Sequence, residues 1–320
     1  MILVKDEILK ATGATSILAE ETIQSLWSDY GEIKKYALNG GRHASVIAKH
    51  IHWGERDEHP RGWDSHRSHK RKLKSYQVEM NWYQQFAQRS GEKWRIPANY
   101  MTLDREEELL LIMEDLDAAG FHLRISPENV TLKNAKSCFS WLAYFHAEFM
   151  GEQTEGLWPI GTYWHLDTRP DELEKMNDIP LKRAASGIDH HLNSATYQTL
   201  VHGDAKLANF CFSEIGAVSV VDFQYIGGGC GMKDVAYFIS SCFEGNECEK
   251  YEADLLDYYF HQLMVALNGK LDFEKVKREW LSLYKYAWAD FYRFLNGWSP
   301  GHWKMNGYSR QLTNEVLSEL

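Results

Sequence analysis

Three oxygen-bearing side chains stand at fixed intervals in the stretch LVHGDAKLANFCFSEIGAVSVVDFQ, residues 200–224. Asp204 follows His-Gly, Asn209 comes five residues later, and Asp222 comes thirteen residues after that. The segments NFCF and SVVDF read as two short strands that fold back antiparallel on each other. Because such a hairpin returns the second aspartate to the other two groups, the sequence predicts that all three lie close together.

Oxygen ligands of this kind suit magnesium. Mg²⁺ in proteins is usually held by one or two carboxylate or amide oxygens, with waters and substrate phosphates completing its shell. One carboxylate then remains for proton transfer, and phosphoryl transfer uses an aspartate that orients or accepts the proton of the acceptor hydroxyl. Taken singly, Asp204 and Asn209 are equally explained as turn residues that cap their own backbone, and Asp222 as the end of a strand. Their joint spacing favours the metal and phosphate interpretation.

The composition limits size, location and partners. A chain of 320 residues with 44% hydrophobic and 25% charged residues is expected to form two lobes or domains. No apolar run approaches the roughly 20 residues of a membrane span, and the first thirty residues lack the apolar region of a secretory signal. Five cysteines without CxxC spacing suit a reducing compartment, so we expect a cytoplasmic protein. The net charge of -10 argues against nucleic acid or anionic membrane as a partner and favours a small molecule, with the oligomeric state left open.

Two textures follow each other along the chain. From Glu32 to about Glu114 the pattern predicts strand, turn, strand, helix, strand, turn, strand, in the segments EIKKYAL, NGG, ASVIAKHIHW, SHKRKLKSYQVEMNWYQQFAQRS, ANYMTLD, REE and ELLLIME. From Ser126 onward helices dominate, with Ser126 as a helix N-cap, Pro127 at the first helical position and Gly151 available to end the helix. The sequence therefore predicts an α+β protein with a small antiparallel sheet followed by a larger helical part.

Three further features have plain structural interpretations. The segment IGGGCGMK lacks the GxxxxGK[ST] spacing of a phosphate loop and is interpreted as a pliable segment beside the acceptor site. Six of the fourteen histidines lie between His43 and His69, which keeps a histidine-bound metallohydrolase open, although HExxH and suitably spaced cysteine pairs are lacking. One helical face near the C-terminus is predicted to be core, and it carries Trp280, Tyr284, Trp288, Phe291, Leu295 and Trp298.

The motifs resemble those of a known superfamily. HGDAKLAN followed by VVDFQ is similar to the HGDxxxxN and D-F-Q or D-F-E elements of the aminoglycoside phosphotransferase and choline kinase superfamily, relatives of the protein kinases. The DFQ ending, MEDL with a nearby GF, and KDVAYFI look most like its ecdysteroid kinase-like branch. The resemblance covers roughly Glu32 to Phe243 and implies a two-lobed, protein-kinase-like fold. It divides the chain into a nucleotide-binding lobe (1–114), a hinge (115–121) and a catalytic and acceptor-binding lobe (122–320).

The same resemblance assigns roles in the second lobe. Asp204 is implied to be the catalytic base, and Asn209 and Asp222 are implied to be Mg²⁺ ligands. Asp234 is implied to begin a supporting helix, and His202 to brace the catalytic loop rather than to take part in the chemistry.

A kinase-like fold also requires a lysine for the nucleotide phosphates and a glutamate that holds it. SVIAKHI reads as a strand with Ile47 and Lys49 on one face, because side chains alternate at period two. By the resemblance Lys49 is the phosphate lysine, Ile47 a roof over adenine, and Glu79, in the helix some thirty residues on, the acidic partner. A lysine and a glutamate taken at random would more often be surface residues.

Two backbone segments complete the implied nucleotide site. The turn NGGRHAS takes the place of a glycine-rich loop, so that Gly40, Gly41 and Ser45 could offer backbone N–H groups and a hydroxyl to the β and γ phosphates. Such a Gly-Gly turn is more often a plain hairpin. In MEDL, the backbone from Glu114 through Asp115 to Leu116 is implied to bind adenine, against the simpler interpretation of a strand end.

We therefore expect an ATP- and Mg²⁺-dependent kinase that phosphorylates a hydroxyl of a small, largely apolar or neutral molecule. This acceptor class rests on the resemblance and on aromatic residues outside the predicted core face, which could line a pocket for an apolar body: Tyr286, Tyr292 and Trp303. One alternative is a nucleotide-binding pseudokinase or scaffold. Another is an aminoglycoside- or choline-type kinase, for which Glu315 and Glu319 could supply carboxylates to ammonium groups.

Overall fold

The computed structural model describes residues 2–26, 30–53 and 65–320, and it forms two compact units. The N-terminal unit comprises Met1–Leu123 together with Cys211–Val221. The C-terminal unit comprises Arg124–Phe210 and Asp222–Leu320. The lobe and hinge boundaries proposed from the sequence stay a prediction.

The N-terminal unit is built around a five-stranded antiparallel sheet. Its elements are α1 (Val4–Thr12), β1 (Ser16–Ser25), β2 (Gly31–Asn39), β3 (Ser45–His52), α2 (Ser65–Gln85), β4 (Asn99–Arg105) and β5 (Glu108–Glu114), with the strands in the order β1-β2-β3-β5-β4. Inward-facing apolar residues of β2, β3 and β5 pack with α1 in one core that includes Ile8, Leu38, Val46 and Ile112. The predicted succession of strands, turns and helix from Glu32 to Glu114 is confirmed, whereas α1 and β1 were not predicted.

A hairpin lies between the two predicted metal ligands. The strands β8 (Phe210–Phe212) and β9 (Val218–Val220) are neighbours in a three-stranded sheet with the two-residue β6 (Leu123–Arg124). The turn between them is closed because Ser213 N–H donates to the Ala217 carbonyl at 2.9 Å. The predicted pairing of NFCF with SVVDF is therefore present.

The C-terminal unit is mostly helical, which confirms the predicted α+β class. Its helices are α3 (Leu132–Glu148), α4 (Pro170–Glu174), α5 (Ile179–Asn193), α6 (Met232–Cys242), α7 (Gly245–Leu267), α8 (Phe273–Trp298) and α9 (Gly307–Glu319). Helix α3 packs on α7, and α8 packs on α5, α6 and α9. The short strands β7 (Thr199–Val201) and β10 (Gly227–Gly229) pair antiparallel beside them. No helix within the described ranges is long and apolar enough to cross a membrane.

The first helix of this unit begins later than predicted. Ser126 does not cap it, because residues 127–129 form a turn in which Asn129 N–H donates to the Ser126 carbonyl at 3.0 Å. The N-cap is Thr131, whose hydroxyl accepts from the Asn134 N–H while the Asn134 side chain accepts from the Thr131 N–H. This reciprocal capping box satisfies two otherwise unpaired donors and outweighs the Ser-Pro signal.

The glycine-rich segment after Asp222 is a buried strand, so its interpretation as a pliable segment is wrong. A Cβ on Gly227 would lie 2.2 Å from the Trp158 carbonyl oxygen, and one on Gly228 would lie 2.7 Å from that of Pro159. The glycines are thus needed for close approach of two backbones rather than for mobility.

The aromatic face of α8 is core, as predicted, up to its last turn. Trp280, Tyr284, Trp288, Phe291 and Leu295 are buried, whereas Trp298 is 38% exposed. Of the aromatic residues predicted to lie off this face, Tyr286 and Tyr292 are also buried, and only Trp303, at 47% exposure, is open to solvent. Tyr286 donates to Glu319 Oε2 at 3.1 Å, and Glu319 also pairs with Lys285.

Candidate active site

The Asp204 carboxylate is buried in the loop after β7, with a hydrogen-bond donor at each oxygen. Lys206 Nζ donates to its Oδ2 at 2.8 Å, and the Tyr237 hydroxyl donates to its Oδ1 at 3.0 Å. Asn209 Nδ2 donates to the Asp204 carbonyl at 2.8 Å. Because its NH₂ group is turned toward Asp204, the Asn209 amide oxygen is the atom that could bind a cation.

Asp234, at the start of α6, binds the backbone of this loop. Its carboxylate accepts from the His202 N–H at 2.6 Å and from the Gly203 N–H at 3.0 Å. It also lies 3.2 Å from His146 Nε2, while His146 Nδ1 lies 2.7 Å from the Tyr259 hydroxyl. These distances fit an imidazole that donates from Nε2 and accepts at Nδ1. A fully buried network therefore fixes the backbone immediately before Asp204.

The two residues before Asp204 have separate structural functions. His202 is fully buried, and its Nδ1 accepts from the Asp204 N–H at 3.2 Å. Gly203 has φ +79°, and a Cβ there would lie 2.1 Å from the Tyr225 carbonyl oxygen. Its own carbonyl accepts from the Tyr163 N–H at 3.1 Å, so only glycine fits this close approach of three chain segments.

Asp222 follows β9 in a left-handed backbone conformation, with φ +74°. Left-handed geometry is uncommon for a residue other than glycine, and such strain concentrates at functional sites. Gln224 Nε2 donates to Asp222 Oδ1 at 2.7 Å, which orients the carboxylate.

The charges of the loop interact strongly. Burial raises the pKa of Asp204 above its ordinary value, Lys206 opposes this shift, and the negative charge of Asp222 adds to it. Burial alone would lower the pKa of Lys206, but Asp204 and Asp222 outweigh it and raise that pKa. The negative charge that Asp222 adds near Asp204 favours a bound cation. The Asp222 carboxylate and the Asn209 amide oxygen are donors of the kind that suits Mg²⁺.

Zinc is not supported by the described residues. Within ranges 2–26, 30–53 and 65–320, no group of three or more His, Cys, Asp or Glu side chains could hold a metal ion. His59, which belongs to the histidine-rich stretch, lies outside the described residues, as does the side chain of His66.

In the N-terminal unit, Lys49 and Glu79 form a buried ion pair. Lys49 Nζ lies 2.5 Å from Glu79 Oε2, and each residue is only 3% exposed. Lys49 sits on β3, which is held between β2 and β5, and Glu79 lies in the middle of α2. Ile47, two residues before the lysine on the same strand, is half-buried and so keeps surface for a ligand.

Ser45 and Asp115 contact each other directly. The Ser45 hydroxyl donates to Asp115 Oδ2 at 2.6 Å, and Lys35 Nζ lies 2.7 Å from the same oxygen. Burial alone would raise the pKa of Asp115, but the hydrogen bonds from Lys35 and Ser45 outweigh it and lower that pKa. The Ser45 hydroxyl therefore already has an acceptor, and Asp115 is held as a carboxylate.

The Gly-Gly turn packs against the N-terminal segment. Gly40 and Gly41 have φ of +74° and +78°, and a Cβ on Gly41 would lie 2.9 Å from the Thr12 carbonyl oxygen and from the Ala14 nitrogen. Both glycines are thus required by the turn and by this packing, whatever else the turn binds.

The segment after β5 is a hydrogen-bonded turn. Glu114 N–H donates to the Ala98 carbonyl at 2.9 Å, and the Leu116 carbonyl accepts from the Phe121 N–H at 2.8 Å. The Glu114 side chain binds Arg95 Nη2 at 2.6 Å.

The predicted site residues thus fall into two groups, one in each unit. Asp204, Asn209, Asp222, His202 and Asp234 belong to the C-terminal unit, and Lys49, Glu79, Ser45, Gly41, Ile47, Glu114, Asp115 and Leu116 to the N-terminal unit. Sequence reasoning missed Lys206, Tyr237 and His146. Lys206 stands two residues after Asp204 inside the recognised motif, so its position was a usable signal, whereas nothing in the sequence marked His146.

The fold is similar to that of several solved kinases and phosphotransferases. Choline kinase LicA from Streptococcus pneumoniae superposes with a TM-score of 0.54 at 14% identity, covering 99% of this chain and 98% of that one. Macrolide 2'-phosphotransferase MphH from Brachybacterium faecium gives 0.52 at 11% identity, with coverage of 98% and 95%. A thermostable mutant of aminoglycoside phosphotransferase APH(4)-Ia, in complex with ADP and hygromycin B, gives 0.52 at 10% identity, with coverage of 99% and 98%.

The chain belongs to the ecdysteroid kinase-like family, whose sequence model matches residues 31–154 and 162–271. The resemblance read from the motifs is confirmed by this match, and membership supports a kinase-type enzyme. Comparison with curated protein sequences gives no match.

Proposed function

We propose that the protein is an ATP- and Mg²⁺-dependent kinase that transfers the γ-phosphoryl group to a hydroxyl of a small molecule. The observation that carries this proposal is the arrangement around Asp204, where a buried carboxylate with a raised pKa lies beside Lys206, Asn209 and the charge of Asp222. Carboxylates whose pKa is shifted by burial and by neighbouring charges cluster at functional sites. A pseudokinase or scaffold remains the alternative, and the intact set of charged residues counts against it.

Asp204 would act on the acceptor. The Asp204 carboxylate orients the acceptor hydroxyl and takes the hydroxyl proton as the oxygen attacks phosphorus. The hydrogen bonds of Asp234 to the loop backbone hold Asp204 in position. Lys206 favours the charged form of Asp204, because its positive charge opposes the rise in pKa that burial causes.

Asn209 and Asp222 would hold the magnesium ion. When bound, Mg²⁺ neutralises phosphate charge. The left-handed backbone of Asp222 aims its carboxylate, and Gln224 keeps it oriented.

Asp222→Asn should abolish the part of the thermal stabilisation by ATP that depends on magnesium. Asparagine tolerates the left-handed conformation, so the change removes the charge with little added strain. The measurement compares melting temperatures with ATP plus EDTA and with Mg·ATP. Asp254→Ala, a surface carboxylate of α7, is the matched control and should respond like the wild type. A full magnesium response in Asp222→Asn would remove Asp222 from the metal site.

Lys49 would bind the nucleotide phosphates, with Glu79 fixing its direction. Ile47 would cover adenine, the backbone around Glu114, Asp115 and Leu116 would bind its edge, and the turn at Gly41 would approach the phosphates. Ser45 would act mainly by holding Asp115, because its hydroxyl already donates there.

Lys49→Met should raise the KM for ATP by about tenfold or more and lower the free energy of unfolding by about 3–5 kcal/mol, because it removes one member of the buried Lys49–Glu79 ion pair. The double variant Lys49→Met with Glu79→Met should recover most of the stability but not the use of ATP. Urea unfolding and ATP titrations check the two results. Unchanged KM in Lys49→Met would show that another cation binds the phosphates.

The acceptor is proposed to be hydroxylated and largely apolar or neutral. Of the aromatic residues expected to line its pocket, Tyr286 and Tyr292 are core residues, which leaves Trp303. The rival carboxylate site is weakened, because Glu319 pairs with Lys285 and Tyr286. Aminoglycosides and choline-type amino alcohols remain the alternative acceptors.

An ADP-release assay tests the proposed function. Purified protein with Mg·ATP is presented with matched panels of polycyclic alcohols, sugars, amino alcohols and aminoglycosides. ADP formation above the acceptor-free background, lost in EDTA, is the expected result. Binding of Mg·ATP without ADP formation for any panel would favour the pseudokinase.

A further inference from the structure

A lysine ammonium fills an aromatic cage beside Asp204. Lys304, in the link between α8 and α9, places its Nζ 4.6 Å from the ring centre of Tyr237, 5.4 Å from that of Phe291 and 5.7 Å from that of Trp303. Tyr237 and Phe291 belong to a buried aromatic cluster, whereas Trp303 is 47% exposed. The cage therefore consists of two buried rings, Tyr237 and Phe291, and one ring exposed to solvent, Trp303.

The cage is joined to the proposed reacting group by a single side chain. The ring of Tyr237 contacts the Lys304 ammonium, and the hydroxyl of Tyr237 donates to Asp204 Oδ1 at 3.0 Å. Burial lowers the pKa of Lys304 to about 8, the charge of Asp204 opposes this shift, and Lys206 adds to it. Lys304 and Lys206 thus both place positive charge near the Asp204 carboxylate.

Aromatic cages of this kind are the usual means by which proteins bind alkylammonium groups. Here the ring faces are already occupied by an ammonium of the chain itself. A cationic acceptor would have to displace Lys304 or remain near it and Lys206, whereas a neutral or anionic acceptor meets no such repulsion. We propose that Lys304 is a specificity-determining residue that excludes cationic alcohols and restricts the acceptor to neutral or anionic hydroxyl compounds. This inference rests on the proposed function of Asp204.

Choline and 3,3-dimethylbutan-1-ol provide the test, because they have the same shape and differ in charge. Lys304→Met should shift the ratio of kcat/KM toward choline by about tenfold or more, as expected when a cation–π site is vacated. Lys304→Arg should keep the wild-type ratio. The matched control is Lys250→Met, which removes a surface lysine lying 4.9 Å from the ring centre of Tyr251 and should change nothing. An equal loss on both alcohols, or an unchanged ratio, would overturn the proposal.

A binding experiment separates this inference from the kinase assignment. Tetramethylammonium chloride is titrated into each variant by calorimetry, with sodium chloride as the blank. We expect no binding to the wild type, binding to Lys304→Met, and its loss again in Lys304→Met with Trp303→Leu. If this pattern appears but no alcohol is phosphorylated, the proposed function fails and the closed cage stands. If alcohols are phosphorylated and the wild type binds tetramethylammonium as well as Lys304→Met does, the cage proposal fails alone.

Raising the pH gives a second readout. Choline keeps its charge at all pH values, so discrimination against it should weaken as the pH rises through about 8 and Lys304 loses its proton. The charged and titratable groups that face this ammonium are Asp204, Lys206, Tyr237, Cys242 and His302. Raised pKa values keep Lys206 charged and Tyr237 and Cys242 neutral, and a lowered pKa keeps His302 neutral. The pH dependence should therefore vanish in Lys304→Met, and its persistence there would contradict the assignment.

Discussion

Asp204→Asn should lower kcat by about two to four orders of magnitude, the usual scale for the loss of a general base. ATP affinity should barely change, because the residues proposed to bind the nucleotide and the metal are others. Turnover is measured by ADP release with the best acceptor, and ATP affinity by calorimetry. Asp257→Asn, an exposed carboxylate of α7, is the control for a change of one charge. Phosphate transfer near the wild-type rate in Asp204→Asn would remove this carboxylate from the mechanism.

The pH profile of the wild type carries the same signature. A base must be deprotonated to act, so activity falls as the pH drops through its pKa. Because burial and the charge of Asp222 raise the pKa of Asp204, the acid limb of kcat/KM should lie at higher pH than for an ordinary aspartate. An acid limb at or below the ordinary value, 3.8, would show that the carboxylate is not perturbed in solution.

Asp234→Ala should lower the free energy of unfolding by about 3–5 kcal/mol, the range for removing one partner from a buried charged network. The change removes the carboxylate that accepts from the N–H groups of His202 and Gly203 and from the ring of His146. Turnover should fall as well, because the backbone before Asp204 is no longer held. Urea unfolding at neutral pH measures the stability.

Two companions make this result specific. Asp234→Asn keeps one acceptor oxygen and should lose less stability than the alanine variant. Asp178 is the N-cap of α5, and its side chain accepts from the Leu181 N–H. Asp178→Ala should lower the free energy of unfolding by about 1 kcal/mol. If Asp234→Ala costs no more than this cap, the buried network does not hold the loop.

The fold class and most strands of the sheet could be predicted from the sequence, because they depend on local sequence patterns. The period-two alternation of side chains predicts β3, helical periodicity predicts α8, and the short spacing from Asn209 to Asp222 predicts one hairpin. Such patterns can be read without knowing the tertiary structure. The family was accessible only through the motifs, and the order of the strands was not predicted.

The parts that were not predicted depend on contacts between distant residues. His146 meets Asp234 across 88 positions of the chain, and nothing near either residue marks the contact. Lys304 reaches the surroundings of Asp204 only because the link after α8 returns there. The glycines of β10 gave a misleading signal, since glycine marks both mobile segments and the closest backbone packing.

Strand β1, which was not predicted from the sequence, lies at the edge of the five-stranded sheet. Among the described residues β1 pairs with β2 alone, so its outer side is an edge. It is mostly exposed, carries Glu20 and Glu21, and its pairing is interrupted by irregularities after Ile17 and Thr22. Charges and bulges on an edge strand oppose its pairing with a strand of another molecule. The features that conceal β1 in the sequence thus oppose edge-to-edge aggregation of the protein.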